Sequence, residues 1–205
     1  MVQDDHEFLT LRHAVNAVQD KPRLELPEGE DFWVFGYGSL IWNPGFPHVE
    51  VRPARLFGYH RRFCVLSHRY RGTPDAPGLV FGLDRGGSCR GLAYRVPAAE
   101  GPEVMDYLYA REMITGVYDP TWISLDTEAG AITAATFIVD RSHLQYTGRL
   151  DDSKVVDMIL QGCGARGTCI EYLRNTVHHL EALDLHDVAL HRLLKLAESR
   201  LAEQP

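Results

Sequence analysis

Apolar positions spaced by three and four open the chain. Phe8, Leu11, Val15 and Val18 share one helical face, which predicts a helix over the first stretch. Pro22 and Pro27 bracket a connector after it. From Asp31 the pattern shortens to compact apolar runs. Residues 32–35 read as a strand that stops at Gly36. Residues 48–59 carry Val49, Val51, Ala54, Leu56 and Tyr59, and Pro53 is expected to split them into two pieces, because proline cannot donate to a ladder. Residues 63–66, 79–83, 91–96, 122–125 and 131–139 are further strands. Arg71-Gly72-Thr73-Pro74, Pro77-Gly78 and Gly86-Gly87 are expected to be the turns that separate them. So many short strands close in sequence predict a small, strongly curved sheet or barrel rather than a doubly wound parallel sheet.

Helical periods interrupt and then replace this texture. Residues 102–114 form one helix, with Pro102 in its first turn and Glu103 and Asp106 near its positive end. After Leu150, Asp151 or Asp152 can cap a helix carrying Val155, Val156, Ile159 and Leu160, which Gly162 and Gly164 end. A second helix carries Ile170, Leu173, Val177 and Leu180. A third, from about Leu185, carries Val188, Leu193, Leu194, Ala197 and Leu201. The class is α+β. The chain divides into an N-terminal helix and connector over 1–30 and one domain over 31–205 that includes the C-terminal helices.

With 205 residues, 45% of them hydrophobic and 24% charged, a sizeable core is available. The 21 Lys and Arg against 28 Asp and Glu give a formal charge of −7, which argues against non-specific binding to nucleic acid or to an anionic membrane. An anionic substrate is still admissible, since a site needs only a few local arginines. No apolar run nears the roughly 20 residues of a bilayer span. Asp4, Asp5 and Glu7 stand where a secretory leader would be basic and then apolar. Cys64, Cys89, Cys163 and Cys169 lack the two-residue spacing of a zinc or redox motif, so reduced thiols in a cytoplasm are expected. His178-His179 and the His186, His191 pair have no metal-ligand spacing, and no metal is expected.

Four constellations could carry chemistry. Phe35-Gly36-Tyr37-Gly38-Ser39-Leu40 follows a strand directly, and its two glycines make either a plain tight turn or a set of exposed amides that binds an anion. It is neither a dinucleotide fingerprint nor a P-loop nor a nucleophile elbow. Glu112 follows Met105 and Leu108 by seven and four residues, which puts its carboxylate on the apolar face of a helix. Burial there raises its pKa and suits proton transfer, or else the carboxylate is structural and paired with an arginine. The adjacent Arg111 is not the expected partner, because neighbouring helical residues point about 100° apart. Arg61, Arg62, Arg69 and Arg71 either blunt a solvated strand edge, at least two of them, or bind a carboxylate. Arg71, in a turn, is the best binding candidate. Tyr37, Tyr146 and Tyr172 lie in glycine-rich or polar surroundings and Tyr107 and Tyr109 on a helix, where each can close a pocket or simply pack.

Phe32-Trp33-Val34-Phe35-Gly36-Tyr37-Gly38-Ser39-Leu40-Ile41-Trp42-Asn43-Pro44-Gly45-Phe46 resembles the opening motif of the ChaC-like gamma-glutamylcyclotransferases. Later segments follow the family's order: Tyr59-His60-Arg61-Arg62-Phe63, Arg71-Gly72-Thr73-Pro74, Pro77-Gly78-Leu79-Val80, Gly91-Leu92-Ala93-Tyr94, Tyr107-Leu108 through Arg111-Glu112, Tyr146-Thr147-Gly148 and Ile170-Glu171-Tyr172-Leu173. The resemblance implies a small β-barrel within an α+β fold and cleavage of gamma-glutamyl compounds, typically glutathione, to 5-oxoproline and a released amine, with no cofactor. It implies Glu112 as acid/base and Tyr37, Gly38, Ser39 and Leu40 as the cradle of the gamma-glutamyl head. Arg71, Tyr146 and Tyr172 would line the substrate pocket, with Arg71 toward the peptide end. The chain departs from the family at Tyr70, where many relatives have His, and at Cys169, where many have Asn. Those departures bear on substrate choice. The alternatives are a cyclotransferase for other gamma-glutamyl amines or dipeptides, and a non-enzymatic binder of such a ligand or of a membrane transporter. Glu112 argues against the last, since a pure binder has no need of a carboxylate on an apolar face.

Overall fold

The computed structural model describes residues 21–203, and the helix expected at Phe8 to Val18 lies outside the described residues. Five strands close into a barrel: β1 (Phe32–Gly36), β2 (Glu50–Ser67), β3 (Gly78–Val96), β4 (Tyr118–Thr127) and β5 (Gly130–Val139). Their order is β1-β3-β2-β4-β5. Parallel pairings of β1 and β3 with β5, at Trp33↔Ala134, Val34↔Ala135 and Leu83↔Ile138, complete the circuit. The strongly curved sheet expected from the pattern is thus a closed barrel.

Three of the expected breaks are absent. The expected strands at 48–59 and 63–66 merge into one, β2, which begins at Glu50, and those at 79–83 and 91–96 merge into one, β3. Pro53 keeps its register opposite Leu92. β4 meets β2 only at Arg55↔Asp126, so Pro53 lies on a free edge where a missing N–H breaks no ladder. Gly86 and Gly87 do adopt positive φ, 102° and 70°, but inside the ribbon. The register slips there by one residue, between Phe57↔Ser88 and Tyr59↔Arg85. The glycines thus make a bulge that bends the ribbon instead of a turn that ends it.

The bend divides β2 by environment. Before it, Ala54 and Leu56 are buried while Val51 and Phe57 face outward. After it, Phe63, Cys64 and Val65 are buried in succession, because the barrel interior covers one face and other elements cover the other. Each fully buried Phe or Leu of this kind contributes about 1.5–3 kcal/mol.

Helix α1 (Gly101–Glu112) links β3 to β4 and buries Val104, Met105 and Leu108. Pro at its first turn starts it without losing an internal bond. The remaining helices follow the barrel: α2 (Asp152–Gln161), α3 (Cys169–Ala182) and α4 (Val188–Ala202). Asp151 caps α2 by accepting from the Lys154 amide, and Asp187 caps α4 by accepting from the Leu190 amide. Thr168 and Glu171 form a reciprocal capping box on α3, so the Glu of the Glu-Tyr-Leu segment is a helix-starting residue. Between α2 and α3, β6 (Cys163–Gly164) and β7 (Gly167–Thr168) make a two-stranded hairpin.

Candidate active site

The loop after β1 is built by close approach. Gly36 and Gly38 both have ordinary φ, so neither supplies a left-handed turn. A Cβ on Gly36 would lie 2.9 Å from the Leu40 Cβ, and one on Gly38 would lie 3.0 Å from the Tyr172 hydroxyl. The chain turns through a short 3-10 segment, Ser39–Ile41, closed by the Ile41 amide on the Gly38 carbonyl at 2.9 Å. At the start of such a segment the first amides have no partner within it, which leaves those of Ser39 and Leu40 available to an anion or a carbonyl oxygen. The Tyr94 hydroxyl holds the loop from behind, donating to the carbonyls of Leu40 at 2.8 Å and Ile41 at 3.1 Å. Buried Arg61 donates to the Tyr37 carbonyl and reaches Asp187 at 3.2 Å, tying the loop to the cap of α4. The solvated-edge reading therefore fails for Arg61, and also for Arg62, which pairs with Asp84. Of the four arginines only Arg69 is exposed.

Glu112 is the last residue of α1, and its side chain is recessed at 21% exposure. Burial raises its pKa from the ordinary carboxylate value, and the charges of Arg111 and Arg166 work against that rise. The partner is Arg111 after all: its Nε lies 3.1 Å from Glu112 Oε1. The 100° separation describes the directions in which the two side chains leave the helix; the long Arg111 side chain reaches Tyr107, one turn back, and still brings its Nε to Glu112. Arg111 also donates to Ser39 Oγ at 2.7 Å, the Asn43 carbonyl at 2.7 Å and the Tyr107 hydroxyl at 2.8 Å. One guanidinium thus fixes the carboxylate against the glycine loop. Tyr107 and Arg111 stand four apart on the helix, and that spacing was the one sequence signal for this clamp.

Three tyrosines sit in the field of Glu112. Its charge adds to burial in raising the pKa of Tyr37, Tyr118 and Tyr172. Tyr37 donates to the Phe137 carbonyl at 3.0 Å and Tyr118 to the Phe81 carbonyl at 2.7 Å, so both are fixed by backbone. Tyr172 packs on Phe81 and Trp42, with ring centroids 4.9 and 5.8 Å apart. Tyr118 was not among the expected site residues, since nothing in 118–122 distinguishes it from a core tyrosine. Arg71 lies 5.2 Å over the Tyr172 ring, and its Nη1 donates to the Thr168 carbonyl at 3.0 Å.

Tyr146 belongs to a different cluster. Its hydroxyl donates to Asp84 Oδ2 at 3.0 Å, beside Arg62 and Arg141. Tyr107 and Tyr109 brace the helix, Tyr109 by accepting from the Leu24 amide at 2.8 Å. Cys169 is buried, its thiol donates to the Leu79 carbonyl at 2.8 Å, and burial pushes its pKa up to about 11. Among the described residues no group of three His, Cys, Asp or Glu side chains is placed to hold a metal ion, and no helix is long and apolar enough to cross a membrane.

The chain is 37% identical over 178 residues to a glutathione-specific gamma-glutamylcyclotransferase of Escherichia coli, covering 86% of this chain and 77% of that protein. It is 33% identical to glutathione-specific gamma-glutamylcyclotransferase 1 of Rattus norvegicus, over 77% of this chain and 73% of that one. The fold matches a crystal structure of a gamma-glutamyl cyclotransferase specific to glutathione from yeast, with a TM-score of 0.78 at 22% identity, over 83% of this chain and 96% of that one. The family model described as ChaC-like protein spans residues 32–200, which takes in the barrel, the Glu112 helix and nearly all of the three C-terminal helices, and the chain therefore belongs to the ChaC-like family.

Proposed function

We propose that the protein is a gamma-glutamylcyclotransferase that cleaves glutathione to 5-oxoproline and cysteinylglycine, with Glu112 as its acid/base. The observation that carries this is the recessed Glu112 carboxylate, its pKa raised by burial, clamped through Arg111 to the glycine loop. The names of the relatives support the substrate.

The substrate brings its own nucleophile, so no serine or cysteine is needed. The alpha-amine attacks the gamma-carbonyl carbon, a five-membered lactam forms, and the bond to the cysteine nitrogen breaks. Folding the glutamyl chain into that near-attack shape is where binding energy helps most. Glu112 takes the proton released by the attacking amine and returns it to the departing nitrogen, so the carboxylate is regenerated at each turnover. A carboxylate whose pKa lies above the ordinary range is the stronger base in the first step. The amides of Ser39 and Leu40 hold the alpha-carboxylate or the developing oxyanion. Tyr37, Gly38 and Tyr172 shape the pocket for the glutamyl head, and Arg71 backs the Tyr172 ring. Nothing in this chemistry calls for a metal or an organic cofactor, and the reduced thiols of its substrate suit a cytoplasmic setting.

Incubation with glutathione should release 5-oxoproline and cysteinylglycine in equal amounts. A panel of gamma-glutamyl amines and dipeptides run alongside should give lower kcat/KM. No 5-oxoproline from any member of the panel would refute the assignment.

A further inference from the structure

The turn of the β6–β7 hairpin carries Ala165 and Arg166, and its backbone is locked onto the segment at 69–72. The Ala165 amide donates to the Arg69 carbonyl at 2.8 Å and the Arg166 amide to the Tyr70 carbonyl at 3.0 Å. A Cβ on Gly164 would lie 2.6 Å from the Arg69 carbonyl oxygen and 2.7 Å from the Gly72 nitrogen, so no larger residue fits between the two segments. On this fixed base the Arg166 guanidinium stacks 4.7 Å from the centroid of the Tyr70 ring.

The cations near the site differ in what they already hold. Arg111 is consumed by Glu112, Ser39, Asn43 and Tyr107. Arg71 is half-buried, with Nη1 on the Thr168 carbonyl and its face on Tyr172. Arg166 is exposed, and among the described residues no carboxylate lies within ion-pair distance of it. The hairpin abuts the site: a Cβ on Gly167, next to Arg166, would lie 3.3 Å from Arg71 Nη1, and Arg71 lies over the Tyr172 ring. Arg166 is thus an oriented cation at the rim of the site, with its planar fork unspent.

The gamma-glutamyl substrate carries two carboxylates. The alpha-carboxylate shares a carbon with the attacking amine and must stay with the loop and Glu112. The other, at the end of the departing peptide, lies two residues beyond the scissile gamma-carbonyl, about 7 Å along an extended chain. The protein carries a formal charge of −7, so this second anion needs a local cation at the rim.

We infer that Arg166, held in place by stacking on Tyr70, binds the distal carboxylate of the substrate and makes the enzyme selective for gamma-glutamyl peptides with a free C-terminus over gamma-glutamyl amines. This rests on the cyclotransferase reading above, and it moves the peptide-end role from Arg71 to Arg166.

The test compares glutathione with glutathione amidated at its glycine carboxylate, following 5-oxoproline. For the wild type, KM for the amide should exceed KM for the acid by about 10-fold, as expected for loss of a charge-assisted bond at a partly exposed site. Arg166→Gln should bring that ratio close to one, with kcat for both substrates within about threefold of wild type and an unchanged melting temperature. Tyr70→Phe keeps the ring and should behave as wild type, whereas Tyr70→Leu should lose part of the ratio. An acid preference that survives Arg166→Gln would overturn the inference, as would a KM that rises equally for both substrates. A ratio that collapses in Arg71→Gln but not in Arg166→Gln would return the role to Arg71. Absence of 5-oxoproline from the wild type with either substrate would instead refute the cyclotransferase reading and this inference with it.

Discussion

Asp84 and Glu112 are both recessed carboxylates beside arginine, and they titrate in opposite directions. Asp84 is the more buried by accessible surface, 1% against 21% for the Glu112 side chain. Yet the Asp84 pKa is lowered while that of Glu112 is raised. Burial pushes both carboxyls up; the coordinating groups outweigh it at Asp84 and do not at Glu112. Asp84 accepts from Arg141 at 2.6 Å, the Tyr146 hydroxyl at 3.0 Å and the Arg85 amide at 2.9 Å, and pairs with Arg62 at 3.0 Å. Glu112 has Arg111 at 3.1 Å, and the Tyr37 and Tyr118 hydroxyls in its field are spent on backbone carbonyls. A fully coordinated carboxylate is locked in its charged form and serves as structure. One held by a single partner stays exchangeable, which acid–base chemistry requires.

The sharpest way to break this contrast is to neutralise each carboxyl at constant volume. Glu112→Gln should lower kcat by at least about 100-fold, within the range for a positioned acid–base group, with the melting temperature nearly unchanged. Asp84→Asn should do the reverse. It strands two arginines around a neutral amide and should cost about 3 kcal/mol of stability, the low end for a broken buried pair because both arginines are partly exposed. Activity per folded molecule should stay near wild type. Kinetics and thermal melts on both variants would settle it, and near-normal turnover by Glu112→Gln would remove Glu112 as acid/base. The linkage sign for Asp84 is that of a depressed carboxyl. Its stabilisation is present above the unfolded-state value near 3.8 and is lost as pH falls through the lower folded-state value. Wild type should therefore lose stability below about pH 4, and Asp84→Asn should lose less there.

Arg111 sharpens the comparison from the other side, because it is the one strong force holding Glu112 in its charged form. Arg111→Met should raise the Glu112 pKa further. The acid limb of kcat/KM, where turnover falls as the base is protonated, should then move to higher pH, with kcat down about 10-fold at neutral pH. Arg111→Lys should restore part of the charge effect but little of the loop geometry, since lysine lacks the fork that spans Ser39 and Asn43. An acid limb that stays put in Arg111→Met would show that the guanidinium does not act on the carboxyl. Gly38→Val tests the loop itself. Its side chain would start 3.0 Å from the Tyr172 hydroxyl, so KM should rise severalfold with less effect on kcat.

Periodicity made the barrel legible, together with α1 and the three later helices, because their buried faces repeat every two or every three to four residues. Continuity was not legible. Pro53 and Gly86-Gly87 carry the same local signal whether they end a strand or lie on a free edge or a bulge, and only the neighbouring strands decide. Met105 and Leu108 placed Glu112 toward the buried side of α1, where its side chain is recessed, and the glycine spacing marked the loop after β1. The Arg111 pairing was not legible, because the angle between neighbouring helical residues says nothing of how far a long side chain reaches. Asp84 was not legible, since its side-chain partners come from β2 (Arg62) and from the loop after β5 (Arg141 and Tyr146), which sequence spacing does not bring to β3.

Tyr146 gives the smallest effect and the cleanest separation of the two regions. The family resemblance puts it in the substrate pocket, and the structure gives its hydroxyl to Asp84, with Arg62 Nη2 at 3.4 Å. Tyr146→Phe removes that hydroxyl and leaves the ring, which stays 5.9 Å from the Arg62 guanidinium. If the hydroxyl serves only the Asp84 cluster, the loss is one charge-assisted bond among several, about 1–2 kcal/mol of stability. The acid-side loss of stability should then set in at slightly higher pH, because one of the forces depressing the Asp84 pKa is gone. The kcat and KM for glutathione should change by less than about twofold, since no bond in the Glu112 region depends on it. A KM raised about tenfold or more with unaltered melting would instead put the hydroxyl on the substrate, and the division between a structural and a catalytic carboxylate region would have to be redrawn with Tyr146 shared between them.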